Sequence, residues 1–160
     1  MLIQRLTKEE CEGFLTRISF GRLACSMDNE PYIVPIYFAY ELDHLYGFST
    51  PGRKLELMRS NPKVCVEADE ITNHFQWTSV IVSGQFEEFP DRPEFREKRL
   101  NAEQELEKRM LWWQTAYASR GLRTDDASTP IFYSIQISAM TGRRAIPEAA
   151  DFKFVRISLA

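Results

Sequence analysis

Residues Gly21 to Glu67 read GRLACSMDNEPYIVPIYFAYELDHLYGFSTPGRKLELMRSNPKVCVE. Apolar, β-prone runs alternate there with short polar turns. Asp28-Asn29-Glu30 separates FGRLACSM from PYIVPIYFAY, and Glu41 to His44 separates the latter from LYGFS. Strand, short turn and strand in succession predict an antiparallel meander. Pro31 and Pro35 are awkward inside it. Because proline cannot donate to a ladder, Pro35 sends its strand to a sheet edge or marks a bulge.

The window YGFSTPGRKLELMRSNPKV, Tyr46 to Val64, then changes period. Thr50 has the character of an N-cap, Pro51 suits the first helical position, and Leu55, Leu57 and Met58 supply apolar spacing. Asn61-Pro62 ends the segment. Arg53 and Lys54 fall in the first turn, where the helix dipole and unpaired N–H groups already make the potential positive. A phosphate reverses that penalty. The hydroxyls of Ser49 and Thr50, close backbone approach at Gly52, and the charges of Arg53 and Lys54 would converge on it. The same residues also read as a type II turn centred on Pro51-Gly52, with cations that simply face water. Walker-type glycine spacing is missing, so nucleotide hydrolysis is not implied.

Outward from this stretch, Thr7 to Glu10 has the form of a capping box, with Cys11, Phe14, Leu15 and Ile18 at helical spacing behind it. KVCVEADE alternates Val64, Val66 and Ala68 with more polar positions. WTSVIVSGQFEEF is a longer strand in which Gly84 marks a bulge or bend. Pro93 opens a long helix to Ser119, with Ala102, Leu106, Met110, Trp113 and Tyr117 as its apolar stripe. IFYSIQISAM alternates again, and FKFVRISL offers a last strand. The sum is mainly β: a small barrel of six or seven mostly antiparallel strands with flanking helices, one short and one long, in a single domain over residues 1–160.

A net charge of -3 argues against a nucleic-acid partner held by phosphate contacts. The N-terminus lacks the long apolar core of a signal peptide and no run approaches a membrane span, so a soluble cytoplasmic protein is expected. Cys11, Cys25 and Cys65 are far apart without a CxxC pair, which suits a reducing compartment. His44 and His74 have no cysteine at ligand spacing, and no metal is expected.

Acid–base or nucleophilic catalysis finds little support. Asp43-His44 is a turn, His74 has no neighbouring carboxylate, and Ser83-Gly84 lacks the flanking glycine of a nucleophile elbow. Two segments invite a ligand reading beside an ordinary one. The edge backbone of PYIVPIYFAY, flanked by Tyr32 and Tyr37, suits the rim of a flat heterocycle or a plain barrel strand. Trp77-Thr78-Ser79 joins a large aromatic to two hydroxyls, as a ligand rim or a half-buried barrel rim. Trp112-Trp113 reads as a ligand platform, a dimer contact, or one core and one interfacial tryptophan.

Taken together, Gly21 to Glu67, WTSVIVSGQFEEF and, more weakly, ISAMTGRRA resemble the pyridoxamine 5'-phosphate oxidase-like family, specifically its smaller nitroimidazole-resistance-type flavin-binding members. The resemblance implies a split β-barrel that dimerises and holds FMN in two symmetric clefts between subunits. It implies that Ser49, Thr50, Gly52, Arg53 and Lys54 hold the ribityl phosphate. Backbone around Val34, Pro35, Ile36 and Tyr37 would line the isoalloxazine, with Trp77, Thr78 and Ser79 at the rim, the partner chain being one source of them.

Phe48 stands among the cofactor-contacting positions where many relatives carry a histidine, which puts imidazole-dependent nitro reduction in doubt. The chain also lacks the Arg-x-His signature of the true oxidase. The expectation is a homodimeric FMN-dependent oxidoreductase using an electron donor and an unidentified small-molecule substrate. A non-catalytic flavin- or haem-binding module and a barrel serving a protein partner are the alternatives. Deazaflavin and haem are the alternative cofactors.

Overall fold

The computed structural model describes residues 1–109 and 130–148. Eight strands form one antiparallel sheet: β1 (Leu2–Arg5), β2 (Phe20–Met27), β3 (Glu30–Tyr37), β4 (Ala39–Glu41), β5 (His44–Ser49), β6 (Lys63–Asn73), β7 (Gln76–Phe89) and β8 (Ile131–Ile146). The order across the sheet is β3-β2-β6-β7-β8-β5-β4, and β1 pairs with the far end of β8. Helices α1 (Lys8–Arg17), α2 (Arg53–Ser60) and α3 (Arg96–Glu107) accompany the sheet among the described residues. One buried cluster draws Leu23, Ile36, Tyr40, Leu45, Val66, Val82 and Ile135 from seven strands, with Leu15 of α1 and Met58 of α2. The sheet therefore wraps around its core while β3 and β4 stay unpaired with each other, which makes the barrel split.

Among the described residues the strands number eight, against the six or seven expected, for two local reasons. All four residues of β1 are exposed, so no alternation announces it. The run PYIVPIYFAY breaks at Phe38, a fully buried residue whose N–H leaves the ladder and donates to the Ser19 carbonyl at 2.9 Å. The β2–β3 and β4–β5 hairpins close through paired left-handed residues, Asp28-Asn29 and Leu42-Asp43, whose positive φ matches the twist of the flanking strands. Pro31 and Pro35 lie opposite Ser26 and Arg22 on β3, which pairs only with β2 and is a true edge. Val64, Val66 and Ala68 face inward as their alternation requires, and the register slips between Ser83 and Gly84.

Thr7 accepts from the Glu10 N–H at 3.2 Å while Glu10 accepts from the Thr7 N–H at 2.9 Å, a complete capping box on α1. Pro93 opens a single 3₁₀ turn, and the α-helical part of the long helix begins at Arg96. The expected continuation through Met110, Trp112, Trp113 and Tyr117, and the strand FKFVRISL, lie outside the described residues. Among the described residues no helix is long and apolar enough to cross a membrane. The long helix covers the outside of the sheet: Ala102 and Leu106 bury against Ala39, Phe89 and Phe132 in a second, smaller core. That is why Phe132 through Ile135 are all buried although their sequence alternates.

Candidate functional site

Helix α2 begins later than its sequence suggests. Gly52 is the N-cap, in extended backbone, and no side chain caps the first turn. Thr50 is therefore not the N-cap and Pro51 is not helical; Arg53 and Lys54 are the first two helical residues. The Gly52 carbonyl accepts from the N–H groups of Leu55 at 3.0 Å and Glu56 at 3.3 Å. The earlier N–H groups, at Arg53 and Lys54, point out of the helix start with the positive end of its dipole. A type II turn at Pro51-Gly52 is excluded, because Gly52 does not take the positive φ which that turn demands.

The two cations differ in setting. Arg53 is exposed; its guanidinium lies 5.1 Å from the Tyr32 ring centroid and 4.0 Å from the exposed Glu30 carboxylate. Lys54 is half-buried and makes no ion pair with any described residue. Burial pushes its ammonium below the ordinary lysine range, with Cys25 as the opposing influence. Burial likewise raises the Cys25 thiol, against the pull of Lys54 and Arg53, so it stays neutral. Holding a lysine partly out of water without a carboxylate is costly, and such an arrangement is typical of a site that receives an anion.

Several of the expected residues meet at this corner. Ser49 ends β5, and its hydroxyl donates to the Thr50 carbonyl at 3.0 Å. Ser49 and Thr50 are half-buried, Gly52 is open enough for a Cβ to meet nothing, and the chain carries all three directly into Arg53 and Lys54. Tyr32 reaches the same corner through Arg53. Phe48 does not: it lies on the other face of β5, 6.3 Å from Phe132, beside the smaller core under α3.

Val34, Pro35, Ile36 and Tyr37 continue β3 away from Tyr32 along the free edge. The two prolines are four residues apart and so turn the same way. A β-edge accepts them where the missing N–H would have faced outward, so β3 presents the outward N–H of Ile33 and Tyr37 and intervening carbonyls. Ile33 is 63% exposed on this strand. Nothing among the described strands covers that edge.

Trp77, Thr78 and Ser79 stand apart. Cys25, beside Lys54, follows Ala24 on β2; Ala24 pairs with Cys65 and Cys65 with Ser83, so the cation corner lies about level with Ser83 on β7. Trp77 is six residues further along that strand, roughly 20 Å away at the strand rise. It is half-buried in a depression of about 260 Å³ shared with Glu70, Thr72, Thr78 and Arg144. Ser79 donates to Glu67 at 3.0 Å, and Arg22 bridges Glu67 at 3.1 Å and Asp69. Within one chain these residues do not join the corner.

Two participants escaped the sequence: Gly47 and Tyr133, which lie opposite each other on β5 and β8 beneath Lys54. The glycine in LYGFS was the available signal, because a strand interior rarely spends a glycine without a close approach behind it.

The family model described as pyridoxamine 5'-phosphate oxidase matches residues 7–144. An uncharacterised protein of Rhizobium meliloti (strain 1021) is 39% identical over 150 residues, covering 91% of this chain and 97% of its own. Among solved structures, an FAD-binding protein of Mesorhizobium loti is 38% identical with a TM-score of 0.72, covering 91% of this chain and all of its own. A candidate 5-nitroimidazole antibiotic resistance protein of Bacteroides thetaiotaomicron, 20% identical, shares the fold with a TM-score of 0.61 over 92% of this chain and 93% of its own.

Proposed function

The chain belongs to the pyridoxamine 5'-phosphate oxidase family, and from that premise we propose that it is a homodimeric FMN-dependent oxidoreductase acting on a small molecule. The observation that carries this reading is Lys54: a half-buried ammonium with no carboxylate partner among the described residues, at a helix start that no side chain caps. A ribityl phosphate supplies the missing charge and accepts from the first-turn N–H groups, Lys54, Arg53 and the Ser49 and Thr50 hydroxyls. The M. loti relative is described as binding FAD, which carries the same ribityl-phosphate unit. The corner fits either flavin at that unit, and FMN is our proposal.

Each group then has a defined task. Arg53 and Lys54 anchor the phosphate, and the edge strand β3 from Val34 to Tyr37 meets the polar rim of the ring system. The flavin, when bound, supplies hydride and electron transfer between a donor such as a nicotinamide and the substrate. The protein is left to bind, orient and exclude water. That division suits a chain in which His74 stands in the β6–β7 turn and His44 opens β5, its Nδ1 2.9 Å from the Leu42 carbonyl oxygen.

The distance between the two halves of the site supports the dimer reading. Trp77 to Ser79, out of reach of their own Lys54, can close the cleft of a second copy. The outer face of β2, β3, β6 and β7 suits such a contact, with exposed Phe20, Ile33 and Ile81 around the small residues Ala24, Cys65 and Ser83.

The test is direct. Purified protein is expected to be yellow, to release FMN by mass on denaturation, and to bleach when a nicotinamide donor is added. Released FAD would change the cofactor and keep the site; a Soret band would move the function to haem. A tightly bound flavin that no donor reduces would make the protein a binding module. A monomer that binds FMN tightly would contradict the shared cleft.

A further inference from the structure

Tyr133 is 1% exposed, and its hydroxyl has no hydrogen-bond partner among the described residues. Burial raises its pKa, so it stays a neutral phenol. Gly47 lies directly across from it. A Cβ at that glycine would come within 2.5 Å of the ring carbon Cζ and 2.6 Å of Oη. The seat of this ring is therefore made by the absence of a side chain on β5. Phe86 fixes another side, with ring centroids 5.5 Å apart. Over the ring sits Lys54 Nζ, 6.0 Å from the centroid.

An aromatic face carries negative potential and can hold a cation that has no carboxylate. Here it lies beneath the one first-turn cation that is withdrawn from water. Arg53 has its own ring, Tyr32, at 5.1 Å, so each cation of the helix start rests near a tyrosine. The difference is that Tyr32 belongs to an exposed edge strand, whereas Tyr133 is locked in the core.

Resting on the flavin reading above, we propose that Tyr133 is the positioning residue of the phosphate site: its ring, seated over Gly47, holds the Lys54 ammonium where the anion arrives. The ring face does this, not the orphaned hydroxyl. Removing the hydroxyl should be harmless, while draining electron density from the ring should loosen Lys54 without changing the shape of the core.

The experiment is a double-mutant cycle on FMN binding, read by flavin fluorescence with flavin-stripped full-length protein. Tyr133→Phe is expected to bind FMN within about twofold of wild type. Tyr133→trifluorophenylalanine, nearly the same size, is expected to weaken binding by about threefold to tenfold. In a Lys54→Ala background the fluorinated ring should change nothing further. An equal loss in both backgrounds would make Tyr133 a packing residue only, and overturns the proposal. A loss with Tyr133→Phe as large as with the fluorinated ring assigns the effect to the hydroxyl and also overturns it. Wild-type protein that binds no FMN removes the flavin reading and this proposal with it; binding with an additive cycle removes this proposal alone.

Discussion

The two ends of α2 carry the same sign of charge in opposite circumstances. At its C-terminal end, Arg59 makes a forked pair with Glu88, at 2.6 and 2.8 Å, where the helix dipole also favours a cation. At its N-terminal end, Lys54 lies half-buried against the dipole with no carboxylate partner among the described residues. One helix of eight residues thus holds a satisfied cation and an unsatisfied one. Arg59 explains itself by stability. Lys54 does not, and a group whose cost the fold leaves standing points to a ligand.

The sharpest way to break this contrast is to remove each cation in turn. Lys54→Ala should weaken FMN binding by about tenfold to a hundredfold, since a charge-assisted bond contributes ~1.5–3 kcal/mol. Arg59→Ala should leave FMN affinity within about twofold, by the same titration. Similar losses in both variants would erase the distinction. Next in size is the seat beneath Lys54. Gly47→Ala forces its new methyl into the Tyr133 ring, and overpacking of that kind costs about 1–3 kcal/mol in a denaturant titration. Unchanged stability would mean that the ring is free to move aside.

Smaller again is the stability effect of Arg59→Ala, about 0.2–1 kcal/mol for a surface pair, read from the same titration. A loss several times larger would make that pair a structural anchor. The last contrast is in pH. An unfolded chain keeps Lys54 protonated up to the ordinary value of 10.5, while the folded chain releases the proton earlier. The unfolded state therefore binds more protons in that window, and stability of the flavin-free protein should rise with pH across it, relative to Lys54→Met. FMN affinity should fall across the same window, because the anion needs the charged lysine. Parallel trends would place Lys54 outside the site.

How much of this was legible follows from how local each feature is. The edge position of β3 was readable because Pro31 and Pro35 forbid a central strand, and β6 because Val64, Val66 and Ala68 share a face. The capping box at Thr7 is a four-residue pattern and was equally plain. The start of α2 was misjudged by two residues, since Thr50, Pro51 and Gly52 each suit a helix start and only the folded backbone chooses Gly52. The inward course of Lys54 was hidden for a deeper reason. It depends on Gly47 facing Tyr133 across two strands distant in sequence, and no periodicity in either strand reports that pairing. The separation of Trp77 from the cation corner was also invisible, because it depends on sheet register along β6 and β7.

The most direct measurement is the affinity of wild-type protein for FMN set against riboflavin, which lacks the phosphate, repeated with Lys54→Ala. A gap of about tenfold to a hundredfold in favour of FMN, closing when Lys54 is removed, is the expected result. Equal binding of the two flavins by wild-type protein would contradict it.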